Sequence, residues 1–165
     1  MSDPSEVLAG LNRVLAPIMR HAGTPMFATA FYMTANAASG EIQYANAGHP
    51  NPFLVRRDLG RIERIGAAAH GPALGLLPDA RYQTGRRTLA RRDLVMLFTD
   101  GIFEVDGPDE TLFGQERLLG AVRKRIHLPP EQLFDEVMDE VRGYSLTNEF
   151  DDDICLLGME VDHLC

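Results

Sequence analysis

The stretch Leu94–Glu104, LVMLFTDGIFE, runs five apolar residues into Thr99-Asp100-Gly101. A short apolar run that ends at a turn signal indicates a buried strand. Burial of such a strand fixes where its end points, so Asp100 is expected at the rim of a sheet. Asp-Gly is also a very common turn signal. The stretch therefore raises the question of whether this carboxylate closes a turn or serves a site.

Outward from this strand, the chain combines helical and strand patterns. Apolar residues at helical spacing predict helices over Pro4–Arg20, Gln115–Ile126 and Pro130–Val141. Strand patterns are found over Met26–Thr34, Glu41–Ala45, Phe53–Val55, Arg61–Ile65, Tyr82–Leu89, Asp93–Thr99 and Ile154–Val161. A turn is predicted at Asn36–Gly40 and an ordered loop at Gly66–Pro78. Six or seven strands with helices before and after them indicate an α+β fold rather than alternating βαβ units.

Composition excludes several classes of function. The 165 residues suit one domain with no internal boundary, and the net charge of −8 without a basic run argues against a nucleic-acid partner. The start of the chain lacks the pattern of a signal peptide, and no apolar run reaches the roughly 20 residues that span a bilayer. We expect a cytoplasmic protein that does not enter a membrane. The cysteines Cys155 and Cys165 are too few for a disulfide framework.

Carboxylates flank two of the predicted strands. Asp100 ends one strand, and Asp151-Asp152-Asp153 precedes the last one. If the two strands are antiparallel neighbours, Asp100 faces Asp152 or Asp153 at one rim of the sheet. Converging carboxylates with no nearby His or Cys favour Mg²⁺ or Mn²⁺ over zinc. Pattern alone leaves open that both are solvated turn residues.

Five segments together resemble a known family. They are FATAFYMTANAASGEIQYANAGHPNPFLV, GPALGLLPDARY, RRDLVMLFTDGIFEV, LFGQERLL and DDDICLLGMEV. In order and spacing they are similar to the motifs of the type 2C (PPM) protein serine/threonine phosphatases, in the bacterial SpoIIE-type branch. The resemblance covers nearly the whole chain from about Asp3. It implies a phosphatase that removes phosphate from phosphoserine or phosphothreonine of a signalling partner, such as an antagonist of an anti-sigma factor.

The resemblance also implies a fold and a site. The fold is an antiparallel β-sandwich flanked by helices, and two Mn²⁺ or Mg²⁺ ions at the sheet rim serve catalysis. By position, Asp100 and Asp152 correspond to metal-binding, catalytic residues. Residues expected to support them are Asp153, Gly101, Glu104, His49 and Asn46. His49 could act as a general acid or make a structural hydrogen bond, and Glu104 is equally plausible as a surface residue.

One part of the family pattern is absent from the sequence. The family has an earlier Gly-Asp strand, whose aspartate bridges both metals, and an Asp-x-x-Gly-His-Gly loop; residues 1–165 contain neither. The chain is therefore expected to be the C-terminal two-thirds of the domain, with uncertain activity alone. Exposed sheet edges would favour a homodimer. The alternative function is a catalytically dead regulatory module that binds proteins.

Overall fold

The computed structural model describes residues 2–21, 26–66, 70–108, 111–146, 150 and 152–163. The chain divides into two compact units, each discontinuous in sequence. The first unit comprises Met1–Asn51, Ile65–Arg91 and His163–Cys165. The second unit comprises Pro52–Arg64 and Arg92–Asp162. Each unit contains one sheet; among the described residues the first unit has one α-helix and the second has two.

The elements follow the order of an α+β chain, which confirms the predicted fold class. The helices are α1 (Pro4–Arg20), α2 (Gly114–Lys124) and α3 (Pro130–Tyr144). The strands are β1 (Ala30–Asn36), β2 (Glu41–Ala47), β3 (Phe53–Arg56), β4 (Arg61–Arg64), β5 (His70–Gly71), β6 (Gly85–Thr88), β7 (Asp93–Phe98) and β8 (Leu156–Glu160). Single 3₁₀ turns occur at Arg57–Leu59 and Asp100–Ile102. No helix of the described residues is long and apolar enough to cross a bilayer.

In the first unit, β2 is the central strand. It pairs antiparallel with β1 and β6 and, over two residues, parallel with β5. Helix α1 packs on this sheet through Leu8, which belongs to the same buried apolar cluster as Ala45 and Ala47 of β2. Burying a leucine side chain contributes roughly 1.5–3 kcal/mol. The Asp3 side chain caps α1 by accepting from the Ser5 amide, and the helix continues past its internal proline to Arg20.

Some predicted bounds in the first unit were wrong. The strand predicted over Met26–Thr34 begins only at Ala30, and Phe27 is exposed. The predicted loop Gly66–Pro78 contains β5, which is too short for a strand pattern to be visible in its sequence. Tyr82 precedes β6 and packs into the α1 cluster instead of starting a strand. Residues 67–69 of the predicted loop lie outside the described residues.

In the second unit, β7 is a buried central strand, as its apolar run predicts. The antiparallel strand order is β4-β3-β7-β8. Leu94, Val95 and Met96 of β7 are fully buried. Helices α2 and α3 cover the sheet through aliphatic residues at helical spacing, namely Leu118, Val122, Leu133, Val137 and Val141. This packing anchors the strand whose end carries Asp100.

Arg56 ends β3 and Arg57 follows it, and both side chains are largely buried although arginine is usually exposed. Arg57 is only 7% exposed and pairs with Glu160 at the end of β8. The neighbouring Arg56 donates to Asp93 at 2.8 Å and to Glu63 at 2.9 Å. Burial raises the pKa of Glu63, but the hydrogen bonds and charges of Arg56 and Arg61 outweigh it, so the net pKa is lowered. These pairs stabilise the sheet end opposite to Asp100.

Candidate metal centre

Strand pairing brings the segments of Asp100 and Asp152 together, because the condition set in the sequence analysis is met. Strands β7 and β8 are antiparallel neighbours, with Phe98 opposite Leu156. The pairing continues beyond the strands, because the Thr99 amide donates to the Cys155 carbonyl at 3.0 Å. The turn that starts at Asp100 therefore lies beside the segment that leads from Asp152 into β8.

Thr99 joins the two segments through its side chain. Its hydroxyl donates to the Asp153 carbonyl at 3.0 Å and accepts from the Cys155 amide at 2.9 Å. Sequence reasoning missed this residue, because a threonine at the end of a strand is unremarkable by pattern. Only its position next to an Asp-Gly pair could have drawn attention to it. The hydroxyl uses both its donor and its acceptor capacity to fix the spacing of the two backbones.

A glycine is required at position 101 because the backbone of Asp152 and Asp153 passes close to it. A Cβ on Gly101 would lie 2.9 Å from the Asp153 carbonyl oxygen and 3.2 Å from that of Asp152. The residue does not have a positive φ, so its glycine is not explained by left-handed turn geometry. Backbone atoms cannot move aside as a flexible side chain could. The Asp-Gly pair therefore allows two strand ends to approach each other.

The carboxylates in this region differ in exposure. Asp100 is half-buried at the start of a 3₁₀ turn, and its carbonyl accepts from the amides of Phe103 and Glu104, each at 2.9 Å. Asp152, Asp153 and Glu104 are exposed. Asp152 Oδ1 accepts from the Asp153 amide at 2.8 Å. The donors in this region are carboxylate and carbonyl oxygens, the type that Mg²⁺ and Mn²⁺ prefer.

The described residues do not assemble a complete metal cluster. Among them, no group of three or more His, Cys, Asp and Glu side chains could hold a metal ion. Asp151, the first acid of the run before β8, is outside the described range. The oxygen donors of Asp100 and Asp152 are of the type that fits a hard divalent cation.

Asn46 and His49 lie in the first unit, where their hydrogen bonds stabilise the turn that contains them. Asn46 is fully buried, and its amide nitrogen donates to the His49 carbonyl at 2.9 Å and to Asn51 Oδ1 at 3.2 Å. Its Oδ1 accepts from the His49 amide at 2.8 Å. The His49 ring hydrogen-bonds the Pro50 carbonyl through Nδ1 at 2.8 Å. These contacts favour the structural alternative for both residues.

Comparison with solved structures identifies the fold. The SiaA-PP2C domain of Pseudomonas aeruginosa superposes with a TM-score of 0.82 at 18% identity, covering 97% of this chain and 61% of that one. A SpoIIE fragment from Bacillus subtilis, with the PP2C phosphatase domain and part of the regulatory domain, gives a TM-score of 0.75 at 18% identity. It covers 98% of this chain and 45% of that one. The chain therefore has the fold of PP2C phosphatase domains.

Sequence comparisons agree. Phosphoserine phosphatase RsbU of Bacillus subtilis (strain 168) is 25% identical over 154 residues, which is 89% of this chain and 43% of RsbU. Protein IcfG of Synechocystis sp. is 25% identical over 139 residues, or 84% of this chain and 21% of IcfG. The chain thus spans less than half the length of these two relatives. The family model for Stage II sporulation protein E (SpoIIE) matches residues 1–162, and this chain belongs to the SpoIIE family.

Proposed function

We propose that this chain carries part of the active site of a divalent-metal-dependent protein phosphatase. The substrate class is phosphoserine or phosphothreonine of a protein partner in bacterial signalling, in the cytoplasm. The observation that carries the proposal is the junction of β7 and β8, where Thr99 and Gly101 hold Asp100 beside the segment of Asp152. Family membership supports the reaction type, since RsbU and RsbP are phosphoserine phosphatases by name.

In this proposal, Asp100 and Asp152 are ligands of Mn²⁺ or Mg²⁺. Support comes from the oxygen donors and from structural neighbours: a SpoIIE phosphatase domain presoaked with Mn and an RsbX complex with magnesium. When bound, the cations supply positive charge that offsets the charge of the phosphoryl group. Asp153 and Glu104 are exposed and follow Asp152 and Asp100 closely in sequence. In this proposal, they would add negative charge near the bound cations.

The chain's own residues orient these ligands. Burial of β7 fixes the direction in which the strand ends, and the Thr99 hydroxyl keeps the neighbouring backbone at hydrogen-bond distance. Gly101 removes the Cβ that would separate the two segments. Because metal ligands must be placed within a few tenths of an ångström, we assign to Thr99 and Gly101 the role of positioning residues.

We also propose that residues outside the described range complete the ligand set, with residues 1–165 forming part of a larger domain. Support comes from the described residues, which gather fewer than three candidate ligands. The same observation favours the second candidate function, a regulatory module without catalysis that binds protein partners.

Two measurements test the proposal. Isothermal titration calorimetry measures the binding of Mn²⁺ to this chain. The hydrolysis of p-nitrophenyl phosphate is measured with the protein as its gene encodes it. We expect Mn²⁺-dependent hydrolysis that falls at least about 100-fold in Asp100→Asn and in Asp152→Asn, since even residues that support metal ligands cost 10–100-fold when removed. Asp139→Asn is the matched control, because this aspartate is exposed on α3.

The outcomes separate the two functions. Metal-dependent hydrolysis that is unchanged in Asp100→Asn would refute the assignment of this ligand. Absence of both Mn²⁺ binding and hydrolysis, in protein that retains its fold by circular dichroism, would favour the regulatory module.

A further inference from the structure

Directly after the turn that carries Asp100, the chain folds back on itself as two short arms. The first arm comprises residues 103–108 and the second comprises residues 111–114. An isolated antiparallel bridge joins the arms, and the Phe113 amide donates to the Val105 carbonyl at 2.9 Å. These two arms are called the Asp100 hairpin below.

The hairpin shares hydrogen bonds with the Asp100 turn. The Gly114 amide of the second arm donates to the Phe103 carbonyl at 2.8 Å. The amides of Phe103 and Glu104 in turn donate to the Asp100 carbonyl, each at 2.9 Å. Phe103 and Val105 belong to the buried core of the second unit. A shift of the hairpin is therefore passed to the backbone of Asp100 through Phe103.

Tyr144, the last residue of α3, packs on the first arm of this hairpin. A Cβ on Gly107 would overlap the Tyr144 ring. Gly107 does not have a positive φ, so backbone conformation does not explain why a glycine is present. The missing side chain instead makes room for the tyrosine ring, which is half-buried against the hairpin.

The Tyr144 hydroxyl binds the second arm. The Thr111 hydroxyl donates to the Pro108 carbonyl at 2.7 Å, so its oxygen accepts from the Tyr144 hydroxyl, also at 2.7 Å. The Gly107 amide donates to the Thr111 carbonyl at 2.9 Å. One tyrosine side chain thus contacts both arms, the first with its ring and the second with its hydroxyl.

Neighbouring side chains fix the orientation of the Tyr144 ring. The guanidinium carbon of Arg117 on α2 lies 5.0 Å from the ring centre, a cation–π distance. Its Nη1 also donates to the carbonyls of Leu112 and Phe113, at 3.0 and 3.3 Å. The Phe113 ring meets the tyrosine ring edge to face, with the centroids 5.3 Å apart. These contacts place Tyr144 between the two helices and the hairpin.

The same region leads toward the second acidic segment. Helix α3 ends at Tyr144, and the chain then runs on to Asp152 and β8. The Leu146 amide at the start of this connection donates to the Asp106 carbonyl of the hairpin at 3.4 Å. The hairpin that follows Asp100 and the connection that precedes Asp152 therefore meet a second time, away from Thr99.

We propose that Tyr144 is a positioning residue for Asp100, a role that rests on the proposed function of Asp100 as a metal ligand. Thr99 sets the spacing of the two strand ends, whereas Tyr144 holds the hairpin that fixes the orientation of the Asp100 turn. A metal ligand must be held within about 0.5 Å of its productive position. Tyr144 is not a catalytic residue, because it acts only through the hairpin.

The first test measures amide hydrogen exchange in the presence of EDTA, with the protein as its gene encodes it. Tyr144→Phe keeps the ring beside Gly107 and removes the hydroxyl. We expect the amides of Phe103 and Glu104 to exchange at least about fivefold faster, because the turn opens more often. Thr111→Val should act in the same way. Adding Tyr144→Phe to it should change the rate by less than about twofold, since both variants remove the same hydrogen bond.

The matched control for a general loss of stability is Lys124→Gln. This variant removes the ion pair of Lys124 with Glu140, which joins α2 and α3 at 2.9 Å and involves no atom of the hairpin. Exchange of the Phe103 and Glu104 amides should stay within about twofold of the wild type, because an exposed ion pair contributes little to stability.

The second test measures how hydrolysis of p-nitrophenyl phosphate depends on Mn²⁺. In Tyr144→Phe, the Mn²⁺ concentration for half-maximal activity should rise at least about threefold, below the 10–100-fold effect of residues that touch a metal ligand directly. The rate at saturating Mn²⁺ should return to within about twofold of the wild type, because the ligand itself is unchanged. A mere loss of folded protein would instead lower the rate at every Mn²⁺ concentration.

The outcomes separate this proposal from the proposed function. Unchanged exchange at Phe103 and Glu104 in Tyr144→Phe overturns it, as does equal acceleration in Lys124→Gln. Accelerated exchange with an unchanged Mn²⁺ dependence also overturns it, because the turn would then move without affecting the ligand. If the wild-type protein shows no Mn²⁺ dependence, the proposed function fails, and the exchange rates alone decide whether Tyr144 holds the Asp100 turn.

Discussion

Two turns of this protein lie at the ends of central strands, and each has a polar residue close to a glycine, but they use their polar side chains differently. In the first unit, Asn46 directs every side-chain hydrogen bond it makes to Asn51 and His49 of its own turn. In the second unit, Asp100 contributes only its backbone carbonyl to the turn, and its carboxylate has no hydrogen bond among the described residues. The Asn46 side chain is satisfied within its own turn and serves as scaffold there, whereas the Asp100 carboxylate is a candidate ligand.

Removing Asn46 should have the largest effect on stability. Asn46→Ala removes a fully buried side chain and leaves three half-buried polar groups of His49 and Asn51 without their partner. At about 1 kcal/mol for each group, we expect a loss of about 3 kcal/mol in the free energy of unfolding. Urea denaturation followed by circular dichroism measures it. A loss below about 1 kcal/mol would mean that Asn46 is not the scaffold of its turn.

Gly101→Ala should have the next largest effect. The added Cβ would meet the backbone of Asp152 and Asp153, and we expect a loss of about 2 kcal/mol, typical of overpacking, together with weaker Mn²⁺ binding. Denaturation and calorimetry measure the two quantities. Gly10→Ala on α1 is the control, because its Cβ meets only the end of a flexible arginine; it should be neutral or stabilising. Equal stability of both variants would contradict the close approach.

Thr99→Val should have a smaller effect. Valine keeps the shape but loses both hydrogen bonds of the hydroxyl, and because these bonds are exposed to solvent we expect a loss of only about 1 kcal/mol in the free energy of unfolding. Thr99→Ser retains the hydroxyl and should keep most of the stability. If valine and serine behave alike, then the hydroxyl does not hold the two segments together.

Asp3 provides a reference for a carboxylate that does have partners. The hydrogen bonds from Ser5 and then Thr84 lower the pKa of Asp3 from 3.8 to about 2. Because the folded pKa is depressed, the ionised form stabilises the fold above pH 3.8, and this contribution is lost as the pH falls toward 2. Asp3→Asn should flatten this acid limb slightly in denaturation at graded pH. An NMR titration that finds an ordinary pKa for Asp3 would contradict its role as a cap.

The sequence predicted well wherever local pattern and burial agree. The bounds of α1 follow from its apolar spacing and its Asp3 cap. Strand β7 follows from a run of apolar residues, which is stable only when it is buried. Local chemistry was sufficient for these two elements. The antiparallel pairing of β7 with β8 entered the sequence argument only as a condition, and the register shows that this condition is met.

Long-range contacts were beyond sequence reasoning. The hydroxyl of Thr99 and the missing Cβ of Gly101 matter only because residues more than fifty positions later lie against them. The two-residue strand β5 has no periodicity to detect, and Tyr82 packs under α1 although its segment has strand composition. The roles predicted for Asp100, Asp152 and the other site residues remain predictions.

The position of β8 has a consequence for biosynthesis. Strand β7 is synthesised before α2 and α3, but one of its hydrogen-bonding edges waits for β8, the last strand of the described chain. Until β8 emerges from the ribosome, an apolar strand presents unpaired backbone groups, a state prone to association with other nascent chains. The junction that brings Asp100 beside the Asp152 segment therefore forms only after β8 is synthesised, and a ribosome that stops before β8 would release a chain in which this edge of β7 is unpaired.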